Sequence, residues 1–103
     1  MKVIGSANNL ELKKMLLLSK KARERKKQGL FIIEGEREII NGLKSKYILE
    51  RIFLEEGVVF KNVIIKNAIN NTPTSVIEKK TFKRISIRSG GEKIIAIARS
   101  KSH

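Results

Sequence analysis

The sequence predicts an α/β protein, namely a three-layer α/β/α sandwich with a small mixed sheet as its middle layer. Short runs rich in Ile and Val, bounded by Gly or polar residues, alternate with segments whose apolar residues recur at helical spacing. This alternation is typical of a sheet that helices cover on both faces. The chain has 103 residues, of which 41% are apolar, and this suffices for one small domain with its own core.

The first 27 residues are predicted to be helical. Asn8 is a suitable N-cap, and Glu11, three residues later, can complete a capping box. Either one helix continues through the whole segment, or Ser19 caps a second helix over Lys20–Gln28. Gly29 then ends the helical pattern as a C′ residue.

The middle of the chain is predicted to alternate between strand and helix. Leu30–Ile33 is a short apolar run with β-branched residues, which is typical of a buried strand. Glu34-Gly35 gives a turn into a helix over Glu36–Ser45, and Tyr47–Glu55 shows the alternation of a second strand.

The last third of the chain is predicted to begin with a helix over Val58–Asn70. Apolar residues recur at helical spacing there, at Val59, Val63, Ile64 and Ala68. The remaining predicted elements are a turn at Asn70–Pro73, a strand at Ser75–Glu78, a helix at Thr81–Ile85, a loop at Gly90–Gly91 and a strand at Lys93–Arg99. The whole chain is thus predicted to contain about four strands and four or five helices.

Composition excludes several classes of function. The chain has no Cys, no Asp and one His, at position 103, so thiolate metal sites, disulfide scaffolds, the usual catalytic triads and Asp-based metal clusters are excluded. We therefore expect no catalytic site in this chain. The absence of Cys fits a reducing compartment, and the sequence has neither a signal-peptide core nor a membrane-length apolar run, so a cytoplasmic location is predicted.

Positive charge is the strongest chemical signal in the sequence. The chain has 23 Lys and Arg residues and 10 acidic residues, which gives a net charge of +13. Such an excess favours a polyanionic partner, and a nucleic acid is favoured more than an anionic membrane. The abundance of Ile, Lys and Asn is also what an AT-rich coding sequence would produce. Such a bias does not explain why acidic residues are scarce and Asp is absent.

Most of this charge lies in two clusters. The first cluster, residues 13–27, contains eight basic residues and one acidic residue. The second, residues 76–103, contains eight basic and two acidic residues. The segment between them, residues 28–75, is neutral, with six basic and six acidic residues. A fold that brought the two clusters together would create one basic surface. The five aromatic residues form no stacking motif, so we expect a nucleic acid to be recognised through shape and phosphates rather than through stacked bases.

An ordered set of short motifs resembles a known family. The motifs are Ser6-x-x-Asn9-x-x-Leu12-Lys13, Lys20-Lys21-x-Arg23, Phe31-x-x-Glu34-Gly35-x-Arg37 and Ile94-Ile95-Ala96-Ile97. In this order, over residues 4–99, they resemble the N-terminal substrate-binding domain of SpoU-type RNA ribose 2′-O-methyltransferases.

This resemblance implies a fold similar to small ribosomal RNA-binding proteins, with structured rRNA or tRNA as the ligand. It implies that residues 1–99 form the RNA substrate-binding domain and that residues 100–103 begin a linker to a catalytic domain absent from this chain. In the family, the catalytic domain binds S-adenosylmethionine and forms the homodimer. The full-length protein is therefore expected to be an S-adenosylmethionine-dependent RNA 2′-O-methyltransferase.

The resemblance also implies which residues contact RNA. These are Asn9, Lys13, Lys20, Lys21, Arg23 and Arg37. Arg25 belongs to the same basic cluster and is predicted to join them, because Lys and Arg neutralise phosphates. Glu34 and Gly35 are expected to be structural residues of the turn, Glu34 by accepting hydrogen bonds and Gly35 through its backbone freedom.

Two other functions stay open at this level. A free-standing ribosome-associated or structured-RNA-binding protein would share the fold and the charge, and a coding frame that stops after His103 would favour it. A protein that binds anionic membranes would need an apolar face on its basic helix, and we expect the candidate residues to be buried in the core instead. Those residues are Leu10, Met15, Leu16, Leu17 and Leu18.

Overall fold

The structure is a computed structural model that describes residues 3–5, 9–87 and 91–101. In chain order its elements are β1 (Val3–Ile4), α1 (Leu10–Lys20), α2 (Ala22–Gln28), β2 (Leu30–Glu34), α3 (Glu36–Lys44), β3 (Leu49–Glu55), α4 (Val63–Asn71), β4 (Thr74–Ile77), α5 (Lys79–Ile85) and β5 (Ile94–Arg99). Four predictions concern positions outside the described residues: the motif residue Ser6, the cap Asn8, Gly90 of the predicted loop, and residues 102–103 of the predicted linker.

The strands form one mixed sheet in the order β1-β4-β3-β5-β2. β5 is the last strand in the chain, yet it lies between β2 and β3 and is antiparallel to both, while β4 is parallel to β1 and β3. Every residue from Ile94 to Ala98 is buried, which is expected of a strand that is covered on both faces. The predicted mixed sheet is confirmed.

Helices cover both faces of this sheet, so the predicted α/β/α sandwich is confirmed. On one face, α1 and α5 pack against Phe53 of β3 and against Ile95 and Ile97 of β5. On the other face, α3 and α4 pack against Ile52 and Leu54 of β3. Neighbouring residues of a strand point to opposite faces, so the same strands supply both cores. We call the two sides the α1/α5 face and the α3/α4 face.

The cap of the first helix lies one residue later than predicted. Asn9, and not Asn8, is the N-cap of α1, because its side-chain oxygen accepts hydrogen bonds from the N–H groups of Glu11 and Leu12 at 2.9 and 3.4 Å. With Asn9 as the cap, the third helical residue is Leu12 rather than Glu11, so Glu11 does not hold the capping-box position of the observed cap. The Glu11 carboxylate forms an ion pair with Arg51 of β3 at 3.1 Å.

The first basic segment forms two helices rather than one. Lys21 adopts an extended conformation and separates α1 from α2, so the alternative of a second helix is confirmed. The predicted cap is wrong, because the Ser19 hydroxyl donates to the Leu16 carbonyl at 2.8 Å and lies inside α1. Gly29 ends α2 with a φ of 67°, as predicted.

The second predicted strand is shorter than the sequence pattern suggests. β3 begins at Leu49, and a register shift between Leu49 and Arg51 interrupts its pairing with β5. Such an irregularity changes which face each preceding side chain points to. Ile48, which the simple alternation with Ile52 and Leu54 places inside, is therefore 57% exposed.

The helix predicted from residue 58 begins at Val63. The side-chain oxygen of Asn62 accepts hydrogen bonds from the N–H groups of Ile64 and Ile65 at 2.8 and 3.1 Å, and this cap fixes the start of α4. Val59 and Val63, expected on the apolar side, are exposed, while Ile65 is fully buried. The side of the helix that faces the core was therefore predicted wrongly, because a segment so rich in β-branched residues offers apolar residues on several sides of a helix.

Two features at the ends of the chain differ from the prediction. β1 contradicts the prediction that the chain is helical from its first residue, and two residues are too few to show the period of a strand. β1 pairs parallel with β4, and β4 and α5 begin one and two residues earlier than predicted.

Candidate nucleic-acid interface

The basic residues of the first cluster lie on the solvent side of α1 and α2. Leu12, Met15 and Leu18 are fully buried and direct one side of α1 into the core. The opposite side of an amphipathic helix then faces solvent. The exposed basic residues of this segment are Lys13, Lys14, Lys20, Lys21, Arg23, Lys26 and Lys27.

Arg25 holds α2 against α1. α2 buries no side chain of its own. The Nη1 atom of Arg25 donates to the carbonyl oxygens of Leu18 and Ser19 at 2.7 and 3.3 Å. These carbonyls belong to the last turn of α1, where helical partners are missing. Arg25, predicted as an RNA contact, therefore has an internal bonding role that its neighbours Lys26 and Lys27 do not share.

Asn9 has a structural role as well. Its side-chain oxygen is engaged in the cap of α1, so its amide NH₂ group is the part of the side chain that could donate to a ligand. Asn9 therefore lies beside the basic residues of α1, but it contributes a neutral donor rather than a charge.

Glu34 and Gly35 connect β2 to two other parts of the molecule. Glu34 is the last residue of β2 and is 5% exposed. Its carboxylate accepts hydrogen bonds from the Ser86 hydroxyl at 2.5 Å and from the Ile87 N–H at 2.8 Å, which ties β2 to the segment after α5. Gly35 has a φ of 106°, a conformation in which glycine is little strained, and its N–H donates to the Ile94 carbonyl at 2.9 Å.

Arg37 lies apart from the other predicted RNA contacts. It is exposed in the first turn of α3, and α3 packs on the α3/α4 face. There it lines a shallow groove together with Glu36 and Glu92. The structure thus brings Lys13, the Lys20-Lys21 pair and Arg23 together on one side of the sheet and places Arg37 on the other.

Acidic residues do not neutralise the basic side chains of α1 and α2. Within the described part of the chain, the three ion pairs are Arg51–Glu11, Lys93–Glu55 and Arg99–Glu50. The exposed lysines and Arg23 of the first cluster take part in none of them. The two acidic residues spaced three or four positions from these cations bond elsewhere, since Glu24 accepts a hydrogen bond from Gln28 and Glu11 pairs with Arg51, so this surface keeps a net positive charge.

Four basic residues of the second cluster lie on α5. Phe82 and Ile85 of this helix enter the same core as α1, so α5 belongs to the α1/α5 face. Its exposed residues include Lys79, Lys80, Lys83 and Arg84. The sequence analysis left these residues unassigned, although the buried set of Thr81, Phe82 and Ile85 is the pattern that would have placed them outside.

Most other described cations of the second cluster have partners inside the domain. Lys93 binds Glu55 at 2.6 Å, and Arg99 binds Glu50. The Lys101 ammonium lies 4.4 Å from the ring centre of Tyr47 and donates to the Ser45 carbonyl. These contacts hold the end of β5 and the residues after it against the domain, so among the described residues of this cluster those of α5 face solvent with unpaired charge.

The apolar residues that a membrane-binding helix would need are divided between core and surface. Met15 and Leu18 are fully buried and Leu16 is partly buried, as expected, but Leu10 and Leu17 are 80% and 40% exposed, which the sequence analysis did not anticipate. Over the described ranges, no helix has the length and the apolar character that crossing a bilayer requires.

Sequence and structure comparisons point to one group of proteins. Residues 9–96 match the family model of the MRM3-like substrate binding domain. No curated protein matches the sequence.

Three solved structures share the fold. An RNA 2′-O ribose methyltransferase is 26% identical with a TM-score of 0.79, and the match covers 99% of this chain and 39% of that one. The AdoMet-bound rRNA methyltransferase of Sinorhizobium meliloti is 14% identical with a TM-score of 0.76, covering 99% and 38%. The SpoU methyltransferase AviRb of Streptomyces viridochromogenes, in complex with AdoMet, is 11% identical with a TM-score of 0.72, covering 91% and 34%. The chain therefore spans less than two-fifths of the length of each.

Proposed function

Because the chain belongs to the MRM3-like substrate binding domain family, we propose that it binds the RNA substrate of a SpoU-type RNA ribose 2′-O-methyltransferase. The proposed ligand is a structured segment of rRNA or tRNA, and the proposed location is the cytoplasm. In this function the domain holds the RNA so that a ribose hydroxyl reaches a catalytic part of the full-length protein. Residues 1–99 are the proposed binding domain, and residues 100–103 begin the connection to that part.

The unpaired basic residues of α1 and α2 carry this proposal. Lys13 and Lys20 lie on α1, Lys21 lies at the junction, and Arg23 lies in the first turn of α2. Their charges are exposed and have no acidic partner within the described residues. Lys acts as a mobile point charge toward a phosphate, whereas the planar fork of Arg can bind one phosphate through two hydrogen bonds. Together they favour a sugar–phosphate backbone over other ligands.

We assign S-adenosylmethionine, methyl transfer and homodimer formation to a part of the full-length protein outside the matched residues. Two of the similar structures contain AdoMet, in chains of which this domain corresponds to 38% and 34%. In this chain a groove of about 860 Å³ runs along the outer edge of β2. Its lining includes Glu34, which accepts hydrogen bonds from Ser86 and Ile87, and the exposed Glu38, and we do not assign this groove to S-adenosylmethionine.

Charge reversal at the junction of α1 and α2 tests the proposal. We expect Lys21→Glu with Arg23→Glu to weaken binding to a fluorescently labelled RNA hairpin roughly 30-fold or more at about 0.1 M salt, since phosphate contacts are lost and repulsion is added. Equilibrium fluorescence anisotropy would measure the affinity. The fold should survive, because acidic residues at the start of α2 favour its helix dipole.

A matched control lies on the opposite face. Lys61 and Lys66 flank the start of α4 and are exposed, so Lys61→Glu with Lys66→Glu makes the same change in net charge at an equivalent place in a helix. We expect this control to lose less than about threefold in affinity, because only the long-range field changes. Equal losses in the two variants, or a folded Lys21→Glu, Arg23→Glu protein with unchanged affinity, would contradict the proposal.

The salt dependence of the unmodified domain gives a second readout of the same experiment. If about six phosphates are neutralised, log K falls against log salt with a slope of roughly −4 to −5. An affinity that hardly changes with salt would show that the basic surface is not the binding surface.

A further inference from the structure

Packing places α5 beside α1 on the same side of the sheet. Phe82 and Ile85 of α5 and Leu12, Met15 and Leu18 of α1 belong to one core cluster. Each helix turns its apolar side toward the sheet, so both polar sides face outward from the same layer. The sequence separates these two helices by more than 50 residues, and only the fold makes them neighbours.

The outward side of α5 is entirely basic. Lys79, Lys80, Lys83 and Arg84 are exposed, and none of them forms an ion pair within the described residues. Lys79 and Lys80 occupy the first turn, where the helix dipole disfavours positive charge, and that turn contains no acidic residue. Folding stability alone therefore does not explain why lysines occupy these positions.

None of the five aromatic side chains is fully exposed, because two are buried and Phe31, Tyr47 and Phe60 are partly buried. The exposed large apolar side chains of the described chain are Val3, Leu10, Leu17, Ile48, Val59, Val63 and Ile87. Phe53 and Phe82 are buried, and Phe31 packs edge-on against Tyr47 with ring centres 5.2 Å apart. Single-stranded RNA is usually bound through bases stacked on aromatic side chains, whereas double-helical RNA is bound through its shape and its phosphates.

From these observations we propose that the α1/α5 face binds a double-helical segment of RNA, with α1 and α2 contacting the phosphates of one strand and α5 those of the other. This inference rests on the proposed function and adds α5 to it. Two separate rows of basic residues on helices of the same layer offer one row to each of the two phosphate backbones that border a groove of a duplex. A single row would suffice for one strand.

Charge reversal on α5 tests this inference. The variant Lys79→Glu with Lys80→Glu places acidic residues in the first turn of α5, where the helix dipole favours them, so folding should be preserved. Its affinity is compared with those of the Lys21→Glu, Arg23→Glu and Lys61→Glu, Lys66→Glu variants. The probes are an RNA hairpin with a fully paired stem and an unstructured oligouridine of the same length.

We expect the unmodified domain to bind the hairpin at least about tenfold more tightly than oligouridine. For the α5 variant we expect a loss of roughly tenfold on the hairpin and a salt slope that is smaller in magnitude by about 1 to 2. We expect a smaller loss on oligouridine, because one strand needs only one row of contacts. A second variant, Lys83→Gln with Arg84→Gln, should weaken hairpin binding in the same direction without adding negative charge.

The outcomes separate this inference from the proposed function. If the α1–α2 variant loses affinity and both folded α5 variants do not, the inference is wrong and the proposed function stands. If neither the α1–α2 variant nor the α5 variants lose affinity for RNA, both the inference and the proposed function are wrong. If oligouridine binds as tightly as the hairpin, the assignment to double-helical RNA is wrong even if α5 contributes.

Discussion

The two faces of the sheet have equally well-buried cores but very different outer surfaces. Phe53 and Ile52 are neighbours in β3, point to opposite faces and are both fully buried. The α1/α5 face carries twelve basic and two acidic residues in its helical segments, which are Leu10–Gln28 and Lys79–Ile85. The helices α3 and α4 carry only three basic and two acidic residues. Burial of apolar residues therefore fixes the layers, and the solvent side of one layer carries most of the positive charge.

The largest predicted effects test whether the two cores contribute alike to stability. We expect Phe53→Ala to lower the free energy of unfolding by about 3 to 5 kcal/mol and Ile52→Ala by about 2 to 5 kcal/mol, through lost burial and cavity formation. Urea unfolding followed by circular dichroism would measure both. Retention of full stability in either variant would show that its face is not packed as the structure describes.

A smaller effect is expected at Glu34, which separates a structural role from RNA contact. Glu34→Gln replaces a buried carboxylate that accepts hydrogen bonds from Ser86 and Ile87, so we expect a loss of about 1.5 to 3 kcal/mol in unfolding free energy. Hairpin affinity of the folded protein should change less than about twofold. Glu38→Gln, an exposed position on α3, makes the same chemical change and should leave stability within about 0.5 kcal/mol.

A Glu34→Gln variant that kept its stability but lost RNA binding would overturn the structural role assigned to Glu34. Glu34 would then contact the RNA directly, and the comparison between the two faces would have to include the end of β2.

Local patterns predicted most elements but not how they are combined. Gly29 and the apolar run at Leu30–Ile33 mark a helix end and a strand by rules that act over a few residues. Both elements were confirmed, but the predicted buried strand is an edge strand whose residues 31–33 are only partly buried. The central place of β5 depends on pairing with strands far away in the sequence, for which no local signal exists. Asn62 starts α4 through two hydrogen bonds that outweigh the apolar pattern before it.

The candidate site shows the same limit. The basic character of residues 13–27 was evident from the sequence, but the internal role of Arg25 depends on a break at Lys21 that directs its side chain back to α1. Arg37 belongs to the same family motif as Glu34 and Gly35, yet it begins a helix on the opposite face. Only the fold shows that α5 adjoins α1.

The central claim is that RNA binds to the α1/α5 face and not to the α3/α4 face. The most direct test is to titrate the ¹⁵N-labelled domain with an RNA hairpin and to follow the amide chemical shifts by NMR. We predict that the shifts that change are concentrated in α1, α2 and α5, while those of α3 and α4 stay within the noise. Changes concentrated in α3 and α4, with α1, α2 and α5 unaffected, would contradict the claim.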